Sequence, residues 1–217
     1  MTNKQKTDEE TVAVYDARVG DYTRMIERTG DNPALISFME LVRPGGIVLD
    51  LGCGPGNSAA ILKQHGFDVE AVDASAAMVQ AASDMHGIAV RQATFEDDYR
   101  DNAYDGIWAN FSLLHAPRER FSDLIAKFAA CLREQGVFHL GTKLGTGEAR
   151  DRLGRYYAYY SREELMAYFH AGGLTPVREF TGESAGLSGE TASWIEIQAR
   201  RGDESSNGSS NGSSNGA

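Results

Sequence analysis

Val48-Leu-Asp-Leu-Gly-Cys-Gly-Pro-Gly56 runs from an apolar strand through an acid, Asp50, into a turn with glycines at positions 52, 54 and 56. Glycine lets the backbone turn sharply and approach a ligand with no Cβ in the way, and the helix expected next offers its free N–H groups at the same place. A second acid gives the turn its meaning. Val69-Glu-Ala-Val-Asp73 reads as the following strand. It ends in a carboxylate about 20 residues past the loop, where an acid can hold both hydroxyls of a ribose. The two acids and the glycines point to a nucleoside cofactor.

The details separate two such cofactors. A dinucleotide pyrophosphate wants G-x-G-x-x-G spacing and no anion beside the phosphates. Here the spacing is G-x-G-x-G and Asp50 stands just ahead of the first glycine, which suits a zwitterion with an ammonium group and a sulfonium centre. LDLGCGPG, AVDAS with Met78 behind it, YDGIWANFSLLH and the strand GVFHLGTK follow in order. Over residues 40 to 200 the chain resembles the class I S-adenosylmethionine-dependent methyltransferases.

That resemblance implies an α/β, Rossmann-like fold: a seven-stranded, mostly parallel sheet with helices on both faces and an antiparallel C-terminal strand. The implied cofactor is S-adenosyl-L-methionine, with no metal. Asp50, Gly52, Gly54 and Gly56 would surround its methionine end, with Cys53 in the loop for its size. Asp73 would bind the ribose, and Ala74 and Met78 would pack near the adenine, unless Met78 is plain helix packing. The family's third strand usually ends in an acid that reads the adenine; Ala93-Thr-Phe-Glu-Asp97 stands there instead, leaving Phe95 and Glu96 as candidates. Asn110, Phe111 and Ser112 follow the fourth strand, where methionine and acceptor meet.

Composition agrees with one globular domain. At 217 residues and 41% hydrophobic content the chain can bury a full core. A net charge of −10 argues against nucleic acid, whose partners concentrate Lys and Arg. A small-molecule acceptor is expected, with the protein a monomer or homodimer. Cys53 and Cys131 form neither a C-x-x-C pair nor a disulfide framework. With no bilayer-length apolar run and no signal segment in MTNKQKTDEE, a cytoplasmic location and no membrane partner are expected.

Three segments are expected: a helical lid over residues 1–32, the methyltransferase domain over 33–201, and a Ser/Asn/Gly tail over 202–217 whose SSNG repeats have nothing apolar to bury. A capping box at Thr7-Asp-Glu-Glu10 opens one amphipathic helix through Tyr15 and Tyr22, broken near Gly20. A second helix starts at Pro33. Strands are expected at 47–51, 69–72, 88–93, 106–109 and 137–140, alternating with helices. Another capping box, Ser161-Arg-Glu-Glu164, opens a helix ending at Gly172-Gly173, and extended segments at 175–180 and 192–199 close the sheet.

The acceptor side is less sharply written. His115 lies just past the fourth strand, either as a general base with a reference pKa of about 6.5 or as a structural residue. His139 reads as a packed strand residue and Lys143 as better placed for an anionic acceptor. The stretch LGTGEARDRLGRYYAYYS is a tyrosine-rich loop; Arg155 with Tyr156 or Tyr160 either holds the acceptor or closes over the loop's own core. Tyr160 joins His115 as a catalytic candidate, and Tyr22 joins the cofactor set. Two other functions remain open: methylation of tRNA or protein, and a noncatalytic cofactor-binding partner subunit.

Overall fold

The computed structural model describes residues 7–27 and 32–202. Its elements are α1 (Glu9–Ala17), α2 (Val19–Glu27), α3 (Pro33–Leu41), β1 (Ile47–Leu51), α4 (Asn57–Gln64), β2 (Asp68–Asp73), α5 (Ala76–His86), β3 (Val90–Gln92), β4 (Tyr104–Asn110), α6 (Phe121–Cys131), β5 (Leu132–Lys143), β6 (Glu148–Arg150), β7 (Tyr156–Ala158), α7 (Arg162–Ala171), β8 (Leu174–Ala185) and β9 (Thr191–Arg201). Seven strands form one sheet in the order β3-β2-β1-β4-β5-β9-β8. β1 to β5 pair in parallel, and β9 runs antiparallel to both β5 and β8. Strand order reverses between β1 and β4, which opens a crevice at the carboxyl ends of those strands.

Alternation along the strands builds a core on each face. Leu49 and Leu51 of β1 join Ile107, Phe138 and Leu140 beneath Phe121, Leu124, Ile125 and Phe128 of α6. Val48 faces the other way, onto Phe38 of α3 with Trp108 and Val137. Gly106 sets that second contact: a Cβ there would stand 2.7 Å from Phe38 Cζ. The glycine brings α3 onto the sheet and buries Phe38 completely, a side chain whose burial contributes about 1.5–3 kcal/mol. α3 starts where expected, with Asn32 accepting hydrogen bonds from the Ala34 and Leu35 amides and Pro33 at the first helical position. α7 carries the full capping box between Ser161 and Glu164.

Three expectations are corrected. The N-terminal helix is two helices that break at Arg18, with Gly20 inside α2, and its cap is Asp8, whose carboxylate accepts from the Thr11 amide. The third strand is shorter than expected, since only Val90–Gln92 pairs with β2. The tyrosine-rich segment is ordered as the β6–β7 hairpin. Asp151 turns it: its carboxylate accepts from the Leu153 and Arg155 amides, and Gly154 takes the left-handed conformation at φ +92°. The tail over 203–217 lies outside the described residues. Among those residues no helix is long and apolar enough to cross a membrane.

Candidate active site

The glycine turn works through backbone. Gly52, Gly54 and Gly56 all have positive φ (75°, 55° and 84°), and the Gly52 and Cys53 amides both donate to the Val72 carbonyl at 2.9 Å. β1 is thereby tied to β2 just where both strands end. A Cβ on Gly52 would sit 2.4 Å from the Ser112 Cβ, and one on Gly56 3.0 Å from the Ala82 Cβ. Besides turning the chain, these glycines let the segment after β4 and helix α5 close against the loop.

Two carboxylates meet this turn. Asp73 accepts from the Gly54 amide (2.7 Å) and from the Ser75 amide (2.9 Å), one on each oxygen. Burial raises its pKa against the pull of these hydrogen bonds. A carboxylate oxygen has room for more than one donor, so both oxygens can still receive hydroxyls. Asp50, at the end of β1, is buried with its Oδ2 unpartnered. Burial, reinforced by the negative charge of Asp73, pushes its pKa up to about 8. A buried carboxylate with an idle oxygen is the expected mark of a missing cationic partner.

Above the turn lies a cleft of about 750 Å3, a figure that includes the open solvent at its mouth. Gly52, Gly54, Asp73 and Ala74 floor it, Met78 and Phe95 wall one end, and Asn110, Phe111, Ser112 and His115 the other. Val12 and Tyr15 of α1 and Tyr22 of α2 roof it. The roof is fastened at both sides. Asp16 accepts from the Ser75 hydroxyl (2.6 Å) and the Ala77 amide (3.1 Å) at the start of α5. Asp8 pairs with Arg150 at 2.6 Å, and the Tyr156 amide donates to the Thr11 hydroxyl at 2.8 Å.

A family model described as a methyltransferase domain matches residues 24–179. The chain belongs to this methyltransferase-domain family. Its relatives include a hemagglutinin 1 of Eikenella corrodens, 33% identical over an alignment of 144 residues, with 58% of this chain and 46% of that protein covered. An uncharacterized methyltransferase of Staphylococcus carnosus (strain TM300) is 31% identical over 130 residues, 58% of this chain and 63% of the other. The chain thus spans about half to two thirds of the length of these two curated relatives. Among solved structures, the 1,6-didemethyltoxoflavin-N1-methyltransferase of Burkholderia thailandensis, holding 1,6-didemethyltoxoflavin and S-adenosylhomocysteine, superposes with a TM-score of 0.67. It covers 94% of each chain at 21% identity, which establishes the Rossmann-like fold.

In this methyltransferase domain His115 is held on both ring nitrogens. Its Nδ1 lies 2.6 Å from the Tyr156 carbonyl, which can only accept, so Nδ1 carries the hydrogen. Nε2 is then the acceptor, and the Tyr15 hydroxyl donates to it at 2.8 Å. Arg155 donates to that same hydroxyl at 3.0 Å, while its guanidinium pairs with Asp151 at 2.6 Å, both side chains almost wholly buried. Burial, with Arg155 and Lys143 nearby, lowers the His115 pKa to about 4, so the ring is neutral. Burial works against the Asp151 carboxylate, but the Arg155 hydrogen bonds and charge keep its pKa low.

Several site expectations meet a different placement. Cys53, Asp50 and Gly56 lie beneath or beside the cleft; the Cys53 thiol donates to the Gly54 carbonyl and is pushed up in pKa by burial. Glu96 pairs with Arg120 at 3.3 Å and does not line this cleft, whereas Ala93, Thr94 and Phe95, just past the third strand, do. Tyr160 is fully buried, stacked on Phe121 at 4.2 Å beneath the Arg118 guanidinium, and is not part of the cleft wall. Arg155 does not wait for an acceptor carboxylate; Asp151 occupies it. His139 is packed flat on Trp108 at 3.6 Å, as expected of a strand residue. Sequence reasoning passed over Asp8, Thr11, Asp16 and Asp151. Only Asp8 carries a local signal, three residues before a helical amide.

Proposed function

We propose that this chain transfers a methyl group from S-adenosylmethionine to a small-molecule acceptor. The observation that carries the reading is the idle, buried Asp50 oxygen beneath a glycine turn whose far side presents Asp73. The residues suit the cofactor. Asp50 and the Gly52–Gly54 backbone would hold its ammonium and carboxylate end, and Asp73 the ribose hydroxyls. Ala74, Met78 and Phe95 would hold the adenine, and Asn110 and Ser112 would border the methionine chain. When bound, the cofactor supplies a methyl group on a positive sulfur that needs no further activation.

The chain's own task is then to align and enclose. Tyr15 and Tyr22 exclude water from above, and the Asp8, Thr11 and Asp16 contacts keep α1 down. His115 keeps its proton at Nδ1 toward Tyr156 and spends its lone pair on Tyr15, so it acts as a positioning residue for the roof. A small acceptor is favoured by the net charge of −10 and by a site that is closed on the N-terminal side.

Isothermal calorimetry tests the reading. S-adenosylmethionine and S-adenosylhomocysteine should bind in the micromolar range and NAD far more weakly. Equal binding of NAD, or no binding of S-adenosylhomocysteine, would overturn it.

A further inference from the structure

We propose that Glu196, with Trp194 and Phe111, forms the acceptor subsite, and that it takes a planar aromatic molecule bearing an acidic N–H or O–H. The inference rests on the methyltransferase reading above. In register across the sheet, Asn110 of β4 pairs with Gly141 of β5, and Gly141 with Glu196 of β9. Residues in register project to one face, so these three form a row that starts at the cleft wall. Gly141 makes room for the Asn110 side chain in the middle of the row, because a Cβ there would fall 2.3 Å from the Asn110 Oδ1. The amide therefore lies over the glycine, toward Glu196. His139 fixes its sense: the ring Nε2 lies 3.1 Å from the Asn110 Oδ1, so the amide hydrogens remain for the cleft.

Glu196 is 7% exposed, and among the described residues no side chain or amide donates to it. A carboxylate drawn from water with no partner is costly unless a ligand supplies one. Its surroundings are aromatic. Phe180 faces it from β8, and Trp194, two residues back on the same face, meets Phe111 edge to face at 6.4 Å. The Trp194 indole lies against Gly182, where a Cβ would stand 2.5 Å from the ring. Phe111 also walls the cleft, so through its contact with Trp194 it joins the cleft to the strand that carries Glu196.

The charged groups around Glu196 are occupied. Arg178 on β8 turns to Glu40 and Ser37, and Lys143 on β5 lies over the Tyr157 ring at 4.0 Å. Burial alone pushes the Glu196 pKa up to about 7, which suits a group that shares a proton with a phenol or azole near neutrality. In the reaction the acceptor's lone pair forms the bond to the methyl carbon. That carbon's bond to sulfur breaks with its pair left on sulfur, and the acceptor's proton passes to the Glu196 carboxylate.

Binding of 2-naphthol, benzimidazole and 2-naphthoate to the protein saturated with S-adenosylhomocysteine, followed by Trp fluorescence, tests the subsite. 2-Naphthol and benzimidazole should bind, 2-naphthoate at least about tenfold more weakly, and Glu196→Gln should weaken the first two about tenfold with S-adenosylhomocysteine affinity unchanged. Preference for the carboxylate probe, no binding of any probe, or equal binding by Glu196→Gln would overturn the proposal while the cofactor reading stood. The probe ranking on the unsubstituted protein needs no variant, and loss of S-adenosylhomocysteine binding by the unsubstituted protein would instead break the underlying reading.

Discussion

The cofactor end and the roof of the same cleft are built in opposite ways. Around Asp73 the work is done by backbone amides and missing Cβ atoms within residues 50–75, so neighbours in sequence are neighbours in space. Around Tyr15 it is done by side chains: Tyr15 meets His115 and Arg155 across 100 and 140 positions of chain. The first arrangement tolerates few residue types at each position, but its hydrogen bonds to Asp73 need only local folding. The second needs the hairpin, α1 and the segment after β4 to be in place together, and it includes the buried Arg155–Asp151 ion pair.

The sharpest way to break this contrast is at Asp151. Asp151→Ala strips the carboxylate from a buried guanidinium, and removing one partner of such a pair costs about 3–5 kcal/mol. Urea unfolding should show that loss, together with weaker cofactor binding as the roof loosens. An effect within 1 kcal/mol, on the order of an exposed pair, would mean the hairpin does not hold the roof.

A pH titration sharpens the same side. His115 has a folded-state pKa of about 4 against about 6.5 when unfolded, so the unfolded chain binds the proton first. Stability should therefore fall as pH drops from about 6.5 to 4, by up to about 3 kcal/mol from this group. Asp50, whose pKa is raised, works in the opposite direction between pH 4 and 8, so the His115 contribution is read as the difference between the parent and His115→Gln. Parallel curves for the two would remove the histidine from the network.

On the cofactor side Asp73→Ala should weaken S-adenosylhomocysteine binding by about 1.5–3 kcal/mol, the worth of hydrogen bonds to a charged group. Calorimetry reads it directly, and unchanged affinity would displace the ribose from Asp73. The smallest effect is expected from Tyr15→Phe, which removes a single hydroxyl. Stability should drop by about 1 kcal/mol, since His115 Nε2 can still reach cleft water. Its clearer signature is faster release of S-adenosylhomocysteine in stopped flow.

How much could be read beforehand follows the same division. The glycine turn and Asp73 are legible as a short contiguous pattern, and the structure brings Gly52, Gly54, Asp73, Ala74 and Met78 to one cleft. The parallel sheet follows from the alternation of strands and helices, and the antiparallel closing pair from the family resemblance. What stayed hidden depended on pairing at a distance. Asp151 looks like any loop acid until the hairpin folds Arg155 back on it, and Tyr160 looks like a ligand residue until Phe121 and Arg118 enclose it. Gly20 misled because glycine weakens a helix without necessarily ending it; the break fell at Arg18.

β9 lies between β5 and β8, and among the described residues β8 pairs with no other strand. The sheet therefore cannot be finished in the order in which the chain is made. β1, β2, β4 and β5 can pair as they emerge from the ribosome, which completes the glycine turn and its acids early. β8 must wait, unpaired, until β9 has been made and slotted in beside it, and Trp194 and Glu196 arrive only then. A growing chain of this kind would acquire its grip on the nucleoside before it has any place for the molecule to be modified.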